Sequence, residues 1–408
     1  MSNLKLSEEL IWRNLIKDKT FKNLDWIDTP RTFYLGIDCG NDSLTIGNLA
    51  VYLLAKRLIM SGWKFYLLVG GATSLIGDPG GKDEERNISD RVTINKNVLA
   101  IKNQVSNLFK DKKFELVDNY DWFKNISYLD FLRDVGKNYS MTDLLQRDYI
   151  KDRIGKDSSG ISYAEFSYSL IQGYDFWQLF KNHNVELQIG GSDQWGNMLS
   201  GVPLVRKKEA SDVHAMSMPL VINKSTGKKF GKSEEGAIWL DSNKTPVIDF
   251  YQFWINVDDI DVIDYFKIYT FLSKERIDNI SKEHDINKSK RIAQKILADE
   301  ITTLVHGKLA TNEAINTTSI LTNHTNDSLD NIEINSIKVK VPVNVVDLLV
   351  KVKLASSKSE ARRLMQSGGV YIDNISIKEE VLNSVNNNRF ILRRGKALKD
   401  SVIIEINK

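Results

Sequence analysis

The chain has 408 residues, 42% hydrophobic and 27% charged, with a formal net charge of +3; this excludes a disordered or collagen-like chain and, at roughly 150 residues per domain, predicts two or three domains. The single cysteine, Cys39, excludes an internal disulfide framework and a Cys-rich zinc module, and the five histidines are scattered, so no metal site is expected. No apolar run approaches the ~20 residues that span a bilayer, and the acid-bearing N-terminus lacks a signal-peptide core, so a cytoplasmic location and no membrane partner are expected.

The segment 32–38 (TFYLGID) is short, apolar and aromatic and ends in Gly and Asp, which predicts a buried strand. Asp42 or Ser43 then stands where it would cap a long helix, closed by Gly62. Lys64–Val69 (KFYLLV) predicts a second strand, and the Gly-rich GGATSLIGDPGG follows it. Strand, helix and strand in this order make a βαβ unit, so the expected fold class is α/β, with a Rossmann-like parallel sheet that binds ligands at its C-terminal edge. Helices are predicted at 126–136 and 163–182, and a short strand at 187–189 runs into GGSDQWGN. From 250 to 309 the pattern is amphipathic helix, as in KRIAQKILADEITTLV, and 311–337, rich in Asn, Thr, Ser and Asp, reads as a linker. After Pro342 a compact α+β module is expected: two short helices, VVDLLVKV and SEARRLMQSG, then the strand-like VYIDN, ISI, RFILRRG and SVIIEI. Residues 341–408 carry twelve Lys and Arg against seven Asp and Glu, so the basic surplus lies in this module and the rest of the chain is at −2. Such asymmetry points to a nucleic-acid partner, although a mildly basic solvated domain gives the same charge.

Five stretches carry chemistry-bearing residues. DCGNDSLTIGN opens the first helix; free N–H groups at a helix N-terminus suit phosphate, and Gly40 and Gly47 leave room for a ligand against backbone. In GGATSLIGDPGGKDEER, Asp78 is a candidate partner for an ammonium group, and Lys82 and Arg86, four apart, share a face that can clamp phosphate. In EFSYSLIQGYD, Tyr168, Gln172 and Asp175 fall on one helical face, an odd polar set among apolar neighbours unless a small ligand partners them. QIGGSDQWGN places Asp193 and Gln194 after a glycine pair at a strand end. KKFGKS puts three lysines on a Gly-containing loop able to close over phosphate. Each stretch alone also fits a turn, a polar core patch or a charged surface loop.

In order and spacing, FYLGID, LVGGATSLIGDP, FLRDVGK, EFSYSLIQGYDF, QIGGSDQWGN, KKFGKSEEGAIWLD, FYQFWIN and the terminal module resemble a bacterial-type tyrosyl-tRNA synthetase, a class I aminoacyl-tRNA synthetase with an S4-type RNA-binding domain. The resemblance implies that tyrosine is activated with ATP to tyrosyl-adenylate and passed to tRNA(Tyr), with Mg²⁺ accompanying ATP and a homodimer as the working form. It implies a catalytic domain over 1–225 with an inserted dimer-forming segment, a lysine loop and helical domain over 226–320, a linker over 321–340 and an S4-like domain over 341–408. Tyr34 and Asp175 would bind the substrate phenol; a buried hydroxyl partner rejects phenylalanine, and tyrosyl-tRNA synthetases are themselves a standard instance of that rule. Asp78, Tyr168 and Gln172 would hold the ammonium group, with Gln194 beside the tyrosine. Gly36, Asp38, Cys39, Gly40, Thr45, Gly47, Asn48, Gly191 and Asp193 would line the ATP side. Lys229, Phe230, Gly231, Lys232 and Ser233 would form the second ATP motif, and Lys82 and Arg86 would join Lys229, Lys232, Thr45 and Asn48 around the leaving pyrophosphate. Lys358, Arg362, Arg363, Arg393, Arg394 and Lys396 would contact RNA phosphates.

The chain departs from the family's pattern at the first ATP motif, which usually carries two histidines where this sequence has Thr45 and Asn48, and often threonine where it has Gly40. No histidine precedes His183, so activation must proceed without imidazole in this part of the chain. The alternative function is therefore a synthetase-like RNA-binding protein with impaired adenylation.

Overall fold

The computed structural model describes residues 4–77, 90–110, 113–145, 150–151, 160–233, 236–323, 337–373, 375–383, 389–395 and 401–407, apart from the side chains of 143, 232, 233 and 320–323. The chain forms two compact units: Met1–Thr245 with Asp258–Ala293, and Pro246–Val257 with Gln294–Lys408.

The first unit is built on a six-stranded sheet. Its strands are β1 (Asp18–Lys19), β2 (Thr32–Ile37), β3 (Lys64–Val69), β4 (Glu115–Asp118), β5 (Leu187–Gly191) and β6 (His214–Met218), in the spatial order β1-β6-β5-β2-β3-β4. All neighbours are parallel except β1 and β6. β2, β3 and β5 read as near-continuous apolar runs because helices cover both faces of such a sheet. Strand order runs outward from β2 toward β3 and β4, and the other way from β5 toward β6. The C-terminal ends of β2 and β5 thus diverge at a topological switch point, where α/β sheets bind ligands. The register sets Tyr34 of β2 beside Gln188 of β5.

Around the sheet lie α1 (Ile46–Met60), α2 (Arg91–Phe109), α3 (Tyr163–His183), α4 (Gly201–Glu209), α5 (Val262–Tyr269) and α6 (Lys274–Ile286). α1 stops where Gly62 takes a φ of +92°, as the sequence suggests, but its N-cap is Thr45 and not Asp42 or Ser43. Thr45 wins because Asn48, three residues on, returns its side chain to the Thr45 N–H in a reciprocal box. Ser43 instead holds Gln104, and Asp42 pairs with Lys244. The helix expected at 126–136 is shorter, Tyr128–Asp134, followed by a 3₁₀ turn. α3 keeps its expected extent, capped by Ser162 with Glu165 in the same reciprocal arrangement.

In the second unit, helices Val247–Ile255, Ile292–His306 and Lys308–Asn323 pack through Tyr251 on Asp299, Gln252 on Thr318, and Phe250 edge-on to His306. The last of these helices occupies the first half of the segment read as a linker from 311. Ala314 and Thr311 are buried there, so small inward-facing residues pack this helix where large apolar ones are lacking. The C-terminal part has helices Val345–Lys351 and Lys358–Gln366 against a five-stranded sheet that includes Val370–Ile372, Arg389–Arg394 and Ser401–Ile406, around a core of Val345, Leu349, Ala361, Val370, Phe390 and Ile404.

Candidate active site

A cavity of about 480 Å³ opens at the switch point between β2 and β5. Sixteen of the residues singled out in the sequence line it: Tyr34, Gly36, Asp38, Gly40, Thr45, Gly47, Asn48, Tyr168, Gln172, Asp175, Gly191, Asp193, Gln194, Lys229, Phe230 and Gly231. They come from the ends of β2 and β5, the start of α1, one face of α3 and the lysine loop.

At the α3 side, Asp175 is 2% exposed and accepts hydrogen bonds from Asn119 Nδ2 at 3.1 Å and Trp122 Nε1 at 2.9 Å. Burial pushes its carboxyl up to about 7, although the two donors pull the other way. Tyr34 is fully buried; burial and then the Asp175 charge raise its phenol well above the ordinary range. The Tyr34 hydroxyl has no partner among the described residues, and neither does the Gln188 side-chain oxygen next to it. Two neighbouring orphaned polar atoms facing a cavity call for a polar ligand, since buried polar groups are otherwise paired. Sequence reasoning missed Gln188, Asn119 and Trp122. Gln188 was visible as the one polar residue of an apolar strand. Asn119 is found only in three dimensions, where it also receives the Ala72 N–H at 2.7 Å and so ties the β3–α2 loop to Asp175.

At the α1 side the Thr45–Asn48 box changes the expected roles. Asn48 Oδ1 accepts from the Thr45 N–H at 3.0 Å and from Thr45 Oγ1 at 2.9 Å. That network assigns the amide, directing its N–H₂ group as the remaining donor on a residue exposed at the cavity. The Thr45 hydroxyl thus holds Asn48 in place at the mouth of the helix. Asp38 accepts from the Gly40 N–H and Ser74 Oγ, both at 2.9 Å. Cys39 is fully buried and absent from the lining, its N–H on Ser74 Oγ at 3.0 Å and its carbonyl accepting from Asn97 Nδ2 at 2.7 Å; burial raises its thiol to about 12. Gly36 has no atom within 4 Å of where a Cβ would stand, so its missing side chain is cavity space.

The lysine loop closes the opposite wall. A hairpin, 221–230, brings Lys229 to Asp193, with Nζ 3.2 Å from Oδ2. Both side chains are more than one third exposed, so solvent screens this pair and an entering phosphate can compete for the lysine. Gly231, at φ +94°, lies against Gly47: a Cβ there would stand 3.3 Å from the Gly47 nitrogen. Beyond the loop, the chain returns beside the first motif, with Ile46 N–H on Ile238 O at 3.0 Å and Leu240 N–H on Leu44 O at 2.8 Å. Lys232 and Ser233 form a short strand with Gly236–Ala237, their side chains outside the described residues, as are Asp78, Lys82 and Arg86.

In the C-terminal module Lys358 pairs with Asp347 at 2.7 Å, Arg362 with Glu380 at 3.2 Å, and Arg394 with Glu360 at 3.0 Å. Arg393 is 7% exposed, Arg363 is exposed, and Lys396 lies outside the described residues. The expected basic set is thus on one module, but three of its cations already face carboxylates.

Comparison with known proteins gives the same outline. Residues 28–322 match the family model described as tRNA synthetases class I (W and Y), and residues 325–399 match the tyrosine–tRNA ligase SYY-like C-terminal domain. A tyrosine–tRNA ligase of Streptococcus suis (strain 98HAH33) is 43% identical over 383 residues, 90% of this chain and 91% of the relative. Tyrosine–tRNA ligase 1 of Streptococcus thermophilus (strain CNRZ 1066) is 42% identical over 410 residues, 95% and 97% of the two chains. Among solved structures, a C-terminally truncated mitochondrial tyrosyl-tRNA synthetase of Aspergillus nidulans aligns with a TM-score of 0.69 at 28% identity, covering 78% of this chain and 94% of that one.

Proposed function

The chain belongs to the class I tRNA synthetases (W and Y), and on that premise we propose that it is a tyrosine–tRNA ligase whose first ATP motif works through an amide in place of imidazole. The observation that carries this reading is the pairing, in one cavity, of an orphaned Tyr34 hydroxyl and buried Asp175 at one end with a helix N-terminus and a lysine at the other. The phenol of L-tyrosine donates to ionised Asp175 and meets the Tyr34 hydroxyl. Tyr168 and Gln172 hold the ammonium side together with Asp78, and Gln188 and Gln194 fill the remaining polar wall. ATP lies along β2 and the start of α1, its phosphates toward the α1 N–H groups, Asn48 and Lys229.

The tyrosine carboxylate is ionised at neutral pH and attacks the α-phosphorus in line, so no general base is required. The bond to the β-phosphate breaks, and its electron pair leaves on pyrophosphate. Catalysis is positioning plus stabilisation of that charge by preorganised donors. Lys229, Lys232, Lys82 and Arg86 are the cations assigned to it. The ribose hydroxyl at the tRNA 3′ end then attacks the adenylate carbonyl, and AMP leaves. Mg²⁺ would come in on the ATP phosphates and neutralise part of their charge; the carboxylates at hand, Asp38 and Asp193, suit a hydrated hard cation rather than a dedicated cage.

The C-terminal module is assigned the tRNA-binding role, supported by its SYY-like match and its basic surplus. A homodimer is supported by an apolar surface in the first unit formed by Tyr128, Leu129, Leu132, Met141, Leu145 and Tyr163, all exposed, with Leu129 at 76%. No described helix is long and apolar enough to cross a membrane, and a cytoplasmic location suits the substrates. The RNA-binding protein without adenylation finds no support in the fold, the cavity or the relatives. Tyrosine-dependent ATP–pyrophosphate exchange with purified protein tests the proposal, and absence of exchange above background refutes it. Deleting 341–408 leaves exchange intact and removes aminoacylation; equal loss of both refutes the division of labour.

A further inference from the structure

The lysine loop hangs from a feature that neither motif contains. Its hairpin is closed by Phe230 N–H on Val221 O at 2.8 Å and Asn223 N–H on Lys228 O at 3.0 Å. The tip rests on three carboxylates spaced three apart at the entry to α5. Asn223 Nδ2 donates to Asp258 Oδ2 at 3.2 Å, the Lys224 N–H donates to both oxygens of Asp261 at 3.2 and 3.3 Å, and Lys224 Nζ pairs with Asp264. One turn on, Phe230 packs on Tyr265 with ring centroids 4.2 Å apart. Of the three acids, Asp261 differs: it is 1% exposed, and it grips main chain rather than a side-chain tip.

α5 is itself fixed at its far end. Arg13 Nη1 donates to Lys267 O at 2.9 Å, Arg13 Nη2 to Leu272 O at 2.6 Å, and Arg57 Nη2 to Thr270 O at 2.6 Å. Both guanidinium groups are buried and share the Glu9 carboxylate. This pairs carbonyls in and just beyond the last turn, where a helix leaves them without intrahelical partners, and holds the helix as a rail. A loop carrying catalytic lysines needs a fixed origin, because displacement by about 1 Å can cost on the order of 10²-fold in rate.

We infer that Asp261 is a positioning residue for tyrosine activation: by gripping the Lys224 N–H it sets the point from which the hairpin delivers residues 229–232 to the cavity. The inference rests on the proposed ligase activity and deepens it. Asp261 touches no substrate, so its removal disturbs the pyrophosphate side and leaves the tyrosine side, walled by β2 and α3, unchanged.

The test uses the full chain. Asp261→Ala lowers kcat of tyrosine-dependent pyrophosphate exchange by about 10- to 100-fold, while tyrosine Kd by equilibrium dialysis stays within about twofold. Asp261→Asn, which keeps a carbonyl acceptor, recovers most of the rate. Lys224→Ala, which keeps the N–H, stays close to the wild-type chain. Trypsin cleavage at Lys228 and Lys229 is faster in Asp261→Ala than in the wild-type chain. Should Asp261→Ala fail to fold, Asp261→Ser, which stays polar but ends short of the Lys224 N–H, is read instead and loses exchange without losing tyrosine affinity. Unchanged exchange in Asp261→Ala, or in Asp261→Ser where it stands in, overturns the inference. So does a fall in tyrosine affinity that tracks the rate, which marks a merely structural role. A wild-type chain without exchange refutes the ligase reading instead, leaving the trypsin result to judge the grip on the hairpin.

Discussion

Replacing Asn48 separates the two jobs of the first nucleotide motif. In the structure its oxygen belongs to the helix cap and its nitrogen to the cavity. Asn48→Ala removes both. Loss of one transition-state donor costs about 2.7–4 kcal/mol, or 10²–10³ in kcat. Asn48→Asp keeps an acceptor for the Thr45 N–H at N3, where an acid also suits the helix dipole, so stability is retained or raised by a few tenths of a kcal/mol. It also turns the cavity-facing donor into an anion opposed to phosphate, so exchange falls further than in Asn48→Ala. Thr45→Ala leaves the amide held by the Thr45 N–H and costs about 1 kcal/mol of capping, seen as a melting-point drop of about 2 °C with exchange within about threefold. The assays are tyrosine-dependent pyrophosphate exchange at saturating tyrosine and a thermal melt of each variant. If Thr45→Ala loses as much exchange as Asn48→Ala, the hydroxyl serves the nucleotide directly and the assignment is wrong. An Asn48→Asp chain as active as the wild-type chain refutes it equally.

Gly36→Val adds a β-branched residue to a strand with open space at its Cβ, so the melt is unchanged or higher while exchange is lost; retained exchange shows that substrates do not occupy that space. Tyr34→Phe removes a buried, unpaired hydroxyl and raises the melting point of the free enzyme, while discrimination against phenylalanine in the exchange assay declines. The free-enzyme Asp175 carboxyl titrates at about 7, far above its unfolded value. The stabilisation this carboxyl contributes is therefore fully present below about pH 4 and is lost as the pH rises through about 7. The phenol donates to the ionised form, so the apparent Kd for tyrosine weakens as pH falls below 7; a flat Kd between pH 6 and 8 contradicts this. Leu129→Asp places a charge in the exposed apolar surface, and sedimentation shows a shift to monomer; an unchanged mass removes that surface from the interface.

Much of this architecture is readable because period and punctuation agree. β2 and β3 announce themselves as apolar runs, and α3 shows its polar face at Tyr168, Gln172 and Asp175 as an anomaly in an otherwise apolar helix. The α1 cap was misplaced because Asp42, Ser43 and Thr45 are all competent cap residues, and the choice depends on a return contact from Asn48. The helix over Lys308–Asn323 was hidden by its Asn and Thr content, since low intrinsic propensity was outweighed by packing of Ala314 and Thr311. Asn119 and Asp261 act through neighbours distant in sequence, and no local spacing reports such a relation.

The return of the chain from the lysine loop beside the first motif has an evolutionary and engineering meaning. Ile46 with Ile238, and Leu240 with Leu44, are bonded through main chain, and Gly231, at φ +94°, lies so close to Gly47 that a Cβ would stand 3.3 Å from its nitrogen. The two nucleotide motifs, far apart in sequence, are thus one heritable part: a change of backbone in either is felt by the other, whereas a cavity-facing side chain can change without moving either backbone. A graft intended to convert this site should therefore move residues 44–48 and 229–240 together, or alter cavity-facing side chains alone.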